Sequence, residues 1–167
     1  MGRPPPDDVF EELLVRCRRP VLNFVYRLLG DAAEAEDVAQ EVFVRAYQCW
    51  ADYDPRRKLS TWLFALARNA AIDRLRHRQR HPAEPLDSVP EPSVVSREVE
   101  TREIGEQIAA AIQSLPEDQR TAIVLFEYHG LSVAEIAEVM HCSQKSVESR
   151  LYRARQTLRR RLAAFLE

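Results

Sequence analysis

The sequence predicts an all-α fold of two small helical bundles, and three observations carry that prediction. Apolar residues recur at spacings of three and four along nearly every segment, which is the period of one helix face. Residues 81–96 interrupt this pattern with four prolines and divide the chain into parts of about 80 and 70 residues, each near the lower size limit for a stable core. Only four glycines accompany 167 residues, which argues against a turn-rich β-barrel. We therefore expect two compact bundles joined by a proline-rich acidic linker.

The first helix is predicted from an apolar stripe that runs from Phe10 to Leu28. Pro20 lies inside this stripe and predicts a kink or a break. Gly30 ends the helix, because glycine suits the left-handed residue that follows a helix. Asp31 and Glu34 then provide an N-cap and the acid of a capping box for a second helix.

The second helix is expected over residues 32–50, with Cys49 among its inward positions. A polar loop with a proline follows at residues 52–58. Ser60 or Thr61 is expected to cap a third helix that is rich in Ala, Leu and Arg, which are good helix formers. Its predicted core positions are Leu63, Leu66, Ala70 and Leu75.

The second part of the chain predicts four further helices. An amphipathic stripe covers residues 104–115, and Pro116 suits the first position of the next helix, which stops near Gly130. Ser132 and Glu135 form a capping box for a short helix. A turn at residues 141–143 precedes the last helix, whose predicted buried positions are Val147, Leu151, Ala154 and Leu158.

Charge is distributed in blocks that the net value of −2 conceals. Residues 55–81 carry a net charge of +7 and residues 141–162 carry +6. Residues 31–54 carry −6 and residues 82–106 carry −5. Two separated basic blocks indicate two contacts with a polyanion.

Residues 131–161 have the layout of a helix-turn-helix, whose second helix enters the major groove of DNA. With the apolar positions inward, the outward face carries Lys145, Glu148, Ser149, Arg150, Tyr152 and Arg153. Arginine binds phosphate or reads guanine, and serine bonds either a phosphate or a base edge. A solvated basic helix in an ordinary bundle is the alternative. Caps, turn, apolar spacing and charge all agree, which favours duplex DNA binding.

The other basic block mixes arginines with aromatic residues, a composition that suits single-stranded nucleic acid because every base has a stackable face. For Trp62 a core position is as plausible as a nucleic-acid contact, and for Phe64 the core position is favoured. The acidic helix over residues 34–45 either meets a basic protein or is simply solvated, and composition leaves both readings open.

Several classes of function are disfavoured. No glycine-rich phosphate loop and no paired nucleophile and base occur, so we expect no catalytic residue and no enzyme activity. The histidines lack metal-ligand spacing, so we expect no metal site and no cofactor. Three widely spaced cysteines do not suggest a disulfide framework. No apolar run is long enough for a membrane span or signal core, so we expect no membrane insertion and a cytoplasmic protein.

Several motifs in order resemble extracytoplasmic-function (ECF) sigma factors of RNA polymerase, over about residues 8–162. The second conserved region of that family is similar to Asp37–Phe43, Ser60–Leu63, Ala67–Asn69 and Asp73–Arg76. The fourth region is similar to Leu115–Glu117, Gln119–Arg120, Leu131–Ser132, Glu135–Ala137 and Ser149–Arg155. The resemblance implies a region 2 domain over residues 1–80, a linker over 81–100 and a region 4 domain over 101–167.

The resemblance also implies partners and site residues. Core RNA polymerase would contact Asp37, Gln40 and Glu41. The minus-ten promoter element would contact Arg56, Arg57, Lys58, Ser60, Thr61, Trp62, Arg68, Asn69 and Arg76. The minus-thirty-five element would contact Lys145, Ser146, Ser149, Arg150, Tyr152 and Arg153.

The resemblance also implies an anti-sigma factor, a partner protein that inhibits a sigma factor. The expected function is binding of core polymerase, promoter recognition, DNA opening and transcription initiation. The alternatives are a stand-alone helix-turn-helix repressor or activator, and a helical adaptor that binds only proteins.

Overall fold

Helices make up the regular structure of residues 4–82 and 96–165, which the computed structural model describes. For residues 96–101 and Ala164 it describes the backbone alone. The α-helices are α1 (Asp7–Leu29), α2 (Ala32–Gln48), α3 (Leu59–Arg80), α4 (Ser96–Gln113), α5 (Glu117–His129), α6 (Val133–Met140) and α7 (Gln144–Leu162). Short 3-10 turns follow α2 and α7, at Trp50–Asp52 and Ala163–Phe165. The all-α prediction is confirmed.

Helices α1, α2 and α3 pack on one another as the first bundle, and α1 is a single helix. Of the predicted kink or break at Pro20, the break is wrong, because α1 continues through this residue. Proline removes one backbone donor and costs about 3 kcal/mol in a helix interior. The flanking apolar stripe offsets that cost, since Val21, Phe24 and Val25 are all fully buried.

The ends of α1 and α2 follow the sequence signals closely. Gly30 adopts a left-handed conformation with φ of 74°, and its N–H donates to the Tyr26 carbonyl oxygen. The Asp31 carboxylate accepts from the Glu34 N–H at 2.9 Å, as an N-cap should. The acid half of the predicted capping box does not form, because Glu34 pairs with Arg78 on α3 instead.

The start of α3 differs from the prediction. Lys58 occupies the N-cap position without a side-chain capping bond, so neither Ser60 nor Thr61 caps the helix. Thr61 lies inside the first turn and is buried. Of the predicted core positions, Leu63 and Ala70 are buried while Leu66 and Leu75 are half-buried. Cys49 is the residue that ends α2 rather than a core position, and its thiol is half-buried.

Helices α4 to α7 form the second bundle and contain the predicted helix-turn-helix. Ser132 and Glu135 make both bonds of the capping box at the start of α6. Gly130 ends α5 in a left-handed conformation, as predicted, while Pro116 is the N-cap of α5 rather than its first residue. Ile104 belongs to the predicted stripe of α4 yet is 52% exposed.

The two bundles contact each other, α1 with α4 and α5, and α3 with α6. His129 of α5 lies between Phe24 and Phe64 of the first bundle, with ring centroids 5.8 and 5.0 Å away. The Arg27 guanidinium of α1 lies 3.5 Å from the centroid of the Tyr128 ring. Most of the predicted linker, residues 83–95, lies outside the described residues. Across the two described ranges, no helix has the length and apolarity needed to cross a membrane.

Candidate nucleic-acid and protein interfaces

The loop before α3 is organised by its own polar side chains. The Asp54 carboxylate accepts from the backbone N–H and the guanidinium of Arg56 at 3.0 Å, and these bonds hold the pKa of Asp54 below its ordinary value. The Tyr53 hydroxyl donates to the Arg57 carbonyl oxygen at 2.7 Å. These contacts fix the loop while the Arg56 side chain remains 89% exposed.

An aromatic cluster of Trp50, Tyr53 and Trp62 lies directly beside this loop. The Trp62 ring centroid lies 5.2 Å from that of Tyr53 and 6.1 Å from that of Trp50. Trp62 is half-buried, whereas Phe64 is buried against Phe24 at 5.3 Å. The core interpretation therefore holds for Phe64, whereas Trp62 packs on two aromatic rings and remains partly accessible.

The residues expected at the minus-ten element differ in exposure. Six of the nine are exposed, namely Arg56, Arg57, Lys58, Ser60, Asn69 and Arg76. Thr61 is buried and the side chain of Arg68 is only 16% exposed. A nucleic acid approaching this arrangement would meet the loop and the aromatic edge, but would not reach Thr61.

The helix-turn-helix presents a polar face on α7. His141 takes a left-handed conformation in the turn, and the Ser143 hydroxyl accepts from the Ser146 N–H at 3.1 Å, which caps α7. Val147, Leu151 and Ala154 are buried as predicted, while the predicted position Leu158 is half-buried. The exposed side chains of the opposite face are Lys145, Glu148, Ser149, Tyr152 and Arg153.

Arg150 is held against the second bundle rather than projecting freely. Its guanidinium donates to the Cys142 sulfur at 3.1 Å and lies 3.2 Å from an Asp118 carboxylate oxygen. Only 24% of its side chain is exposed. Ser146 is also half-buried.

The acidic face of α2 is accessible. Asp37, Gln40 and Glu41 are all exposed along one side of the helix. Glu41 pairs with Arg74 of α3 at 3.1 Å. Val44, 58% exposed, adds an apolar side chain one turn further along α2. This combination of acids with an exposed apolar residue suits a protein partner better than DNA, because carboxylates repel phosphate.

Sequence reasoning did not identify three residues that join the bundles. Asp118 lies 3.5 Å from the Arg68 guanidinium, and Glu135 lies 2.5 Å from the Lys58 ammonium. Burial, with the positive charge of Arg27 as a second cause, lowers the pKa of His129 to about 4. No local pattern marks such contacts, since Lys58 and Glu135 are 77 positions apart.

Comparison with known protein families finds a match for each of the two bundles. The family described as Sigma-70 region 2 matches residues 13–81, and the family described as Sigma-70, region 4 matches residues 105–158. The chain is 34% identical to the ECF RNA polymerase sigma factor SigW of Bacillus subtilis (strain 168), over 93% of this chain and 89% of that protein. It is 32% identical to the ECF RNA polymerase sigma-E factor of Escherichia coli (strain K12), over 89% of this chain and 84% of that protein.

Two solved structures resemble the whole arrangement. The sigma factor RpoE, in complex with the anti-sigma factor NepR from Bartonella quintana, superposes with a TM-score of 0.76 at 25% identity. That match covers 92% of this chain and 96% of RpoE. CnrH, in complex with the cytosolic domain of CnrY, superposes with a TM-score of 0.74 at 27% identity, over 95% of this chain and 90% of CnrH.

Proposed function

This chain belongs to the extracytoplasmic-function family of RNA polymerase sigma factors, and on that premise we propose which of its surfaces perform each step of initiation. It is a sigma factor that binds core RNA polymerase and directs promoter recognition, DNA opening and transcription initiation. It is not an enzyme, because its work is binding and positioning. The region 2 domain comprises residues 1–80 and the region 4 domain residues 101–167, and the linker 81–100 between them includes the start of α4 at Ser96.

The minus-ten element binds at the loop before α3 and along α3. The observation that carries this assignment is the Trp50, Tyr53 and Trp62 cluster, which lies beside the exposed cations Arg56 and Arg57. Cations attract the strand, and the face of an accessible aromatic ring stacks on a base that has left the duplex. Such stacking offsets the few kcal/mol that unpairing costs. The capture of an opened strand is therefore assigned to the first bundle.

The minus-thirty-five element binds as duplex DNA on α7. Lys145, Ser149 and Arg153 are exposed on one face, opposite the buried Val147, Leu151 and Ala154. A helix whose polar face is free and whose other face is packed fits the major groove. Tyr152 adds a phenolic donor. Glu148 on the same face would accept a hydrogen bond from cytosine N4.

Core polymerase binds the acidic face of α2 at Asp37, Gln40 and Glu41. The support is the exposure of all three side chains next to the apolar Val44. This acidic face, which packs beside the basic helix α3, favours a partner other than DNA because carboxylates repel phosphate. A basic surface on the polymerase is such a partner.

An anti-sigma factor and a cytoplasmic location complete the proposal. RpoE, which this chain resembles over both bundles, has been solved with its anti-sigma factor NepR. Similar packing of the two bundles here supports a partner of that kind. The cytoplasmic location is inferred because a sigma factor must bind RNA polymerase there.

Run-off transcription from a randomised promoter library tests this function. Core polymerase supplemented with this chain should produce specific transcripts, and their templates should share two sequence elements upstream of the start. Core polymerase alone serves as the control. A stand-alone repressor or activator would instead bind its duplex without polymerase and would give no transcripts, and a protein adaptor would show no salt-sensitive DNA affinity.

A further inference from the structure

Two histidines lie one turn apart at the end of α3. His77 and His81 are both exposed, and their ring centroids are 4.8 Å apart. The His81 N–H donates to the His77 carbonyl oxygen at 3.0 Å, which closes the last turn of the helix between them. Because residues four apart share one helix face, the two imidazoles lie side by side. Neither histidine belongs to the surfaces assigned above to DNA or to polymerase.

The separation of the two rings fits a shared metal ion. Zinc and similar divalent transition metals lie about 2.1 Å from an imidazole nitrogen, and therefore roughly 3.2 Å from the ring centroid. Bond angles of about 90° to 110° at the metal then place the two centroids roughly 4.5–5.2 Å apart. The observed 4.8 Å lies inside this range. Two histidines with the same spacing on one helix face also supply zinc ligands in the helical His-Glu-x-x-His motif.

The surroundings of the pair are compatible with a bound cation. Both histidines line an open cleft together with Glu34, Arg74, Arg78 and Pro82. Arg78 pairs with Glu34. Arg74 pairs with Glu41, so each arginine of the cleft has a carboxylate partner that limits its repulsion of a metal ion. The carboxyl end of α3 is also the negative end of its helix dipole, which favours a cation.

We propose that His77 and His81 form a two-histidine chelate for one divalent transition metal ion at the end of α3. The proposal revises the expectation of no metal site, which overlooked that these two histidines are four residues apart. It goes beyond the function proposed above and does not depend on it. The bound ion links the two ends of the final turn of α3, so it stabilises that turn only while the metal is present.

The site is an open one with two protein ligands. Across the described residues, no group of three or more His, Cys, Asp or Glu side chains is arranged to hold a metal ion. Water therefore completes the coordination of the ion. Imidazole ligands suit Zn²⁺, Cu²⁺ and Ni²⁺, whereas Mg²⁺ and Ca²⁺ bind oxygen ligands. The two ring nitrogens thus select the transition metals.

Isothermal titration calorimetry of the full chain with NiCl₂ tests the chelate. The wild type should bind one equivalent of Ni²⁺. His77→Gln and His81→Gln should each weaken binding by at least about tenfold, because either substitution leaves a single imidazole and the gain from two linked ligands is lost. His141→Asn is the matched control, since His141 is exposed and asparagine tolerates its left-handed backbone. This control should change the affinity by less than about twofold.

Nuclear magnetic resonance with ZnCl₂ identifies the ligands in the wild-type chain. Zn²⁺ should shift the imidazole resonances of His77 and His81 together and leave those of His129 and His141 in place. Absence of Ni²⁺ binding by the wild type would overturn the proposal. So would a loss confined to one glutamine variant, an equal loss in the control, or Zn²⁺ shifts at the other histidines instead. Because the free chain is titrated without DNA or polymerase, a negative result leaves the proposed function untouched.

Discussion

The guanidinium of Arg120 donates a hydrogen bond of 2.7 Å to the carbonyl oxygen of Leu28, across the boundary between the two bundles. The same guanidinium donates to the carbonyl oxygens of Gln113 at 2.5 Å and Leu115 at 3.0 Å. The Gln113 amide in turn donates to the Arg27 carbonyl oxygen at 2.6 Å. The last carbonyls of a helix lack partners within it, and those of Arg27 and Leu28 in α1 are bonded by side chains that come from the second bundle.

Replacing Arg120 with Ala should lower the free energy of unfolding by about 2–3 kcal/mol, because several part-buried carbonyl oxygens lose a charged donor. Urea denaturation followed by circular dichroism measures the change. Arg153→Ala, at an exposed position of α7, is the control and should change stability by less than about 0.5 kcal/mol. Equal effects of the two substitutions would show that the Arg120 contacts contribute nothing specific.

His129 should make stability depend on pH. Its pKa is lowered to about 4 in the folded protein and is about 6.5 in an unfolded chain, so the unfolded state binds more protons between these values. The stability that neutral His129 contributes to the folded protein is fully present above pH 6.5 and is lost as pH falls toward 4. Thermal denaturation at a series of pH values should therefore show a declining midpoint through this window.

Two histidine-to-phenylalanine substitutions check that His129 causes this pH dependence, one at His129 itself and one at a control position. His129→Phe should flatten the decline, because the new ring packs on Phe24 and Phe64 without a titrating group. His77→Phe, at an exposed position of α3, should leave the decline unchanged. A His129→Phe profile that parallels the wild type would contradict the assignment.

Charge reversal on α2 should weaken core polymerase binding. Asp37→Lys with Glu41→Lys places two positive charges on the proposed docking face, and we expect about a tenfold loss of affinity. The same reversal at Glu103 and Glu138 is the control and should have little effect. Fluorescence titration of labelled chain with core polymerase measures both, and unchanged affinity of the α2 variant would refute the docking surface.

Trp62 should contribute to strand capture through stacking. Trp62→Ala should reduce the affinity of the holoenzyme for a fork template, whose minus-ten segment is single-stranded, by about tenfold, since one stacked base contributes about 1–3 kcal/mol. Trp62→Phe retains a stacking face and should recover most of the affinity. If alanine and phenylalanine behave alike, Trp62 does not stack on a base.

The basic residues of α7 should determine the salt dependence of duplex binding. Replacing either Lys145 or Arg153 with Ala should lower holoenzyme affinity for the minus-thirty-five duplex and reduce the salt slope by about one. Arg102→Ala removes an exposed arginine of α4 that is not among the residues assigned to the duplex, and it should leave the slope unchanged. An unaltered slope for the α7 variants would exclude a phosphate role.

Local signals in the sequence predicted much of this fold. Gly30, Gly130 and the Ser132–Glu135 box act over three or four neighbouring residues, and each forms as expected. The buried face of α7 follows from spacing alone. These features depend on backbone geometry within a single turn, which neighbouring residues determine.

Predictions failed where distant packing outweighs a local preference. Pro20 stays within α1 because the residues after it are buried against other helices. Glu34 leaves the capping box because Arg78 of α3 offers a charged partner. We did not predict from the sequence that Asp118 or Arg120 joins the bundles, yet both contact the first bundle. Such pairings join residues that are far apart in the chain, so they produce no periodic pattern in the sequence.

Permanganate reactivity of promoter thymines tests the central claim most directly, because it reports the opening of DNA at single-base resolution. On a promoter identified from the library, thymines of the minus-ten element should become reactive only when core polymerase and this chain are both present. Trp62→Ala should reduce that reactivity. Thymines that remain unreactive with both proteins present, or that react equally with core polymerase alone, would contradict the assignment of strand opening to this chain.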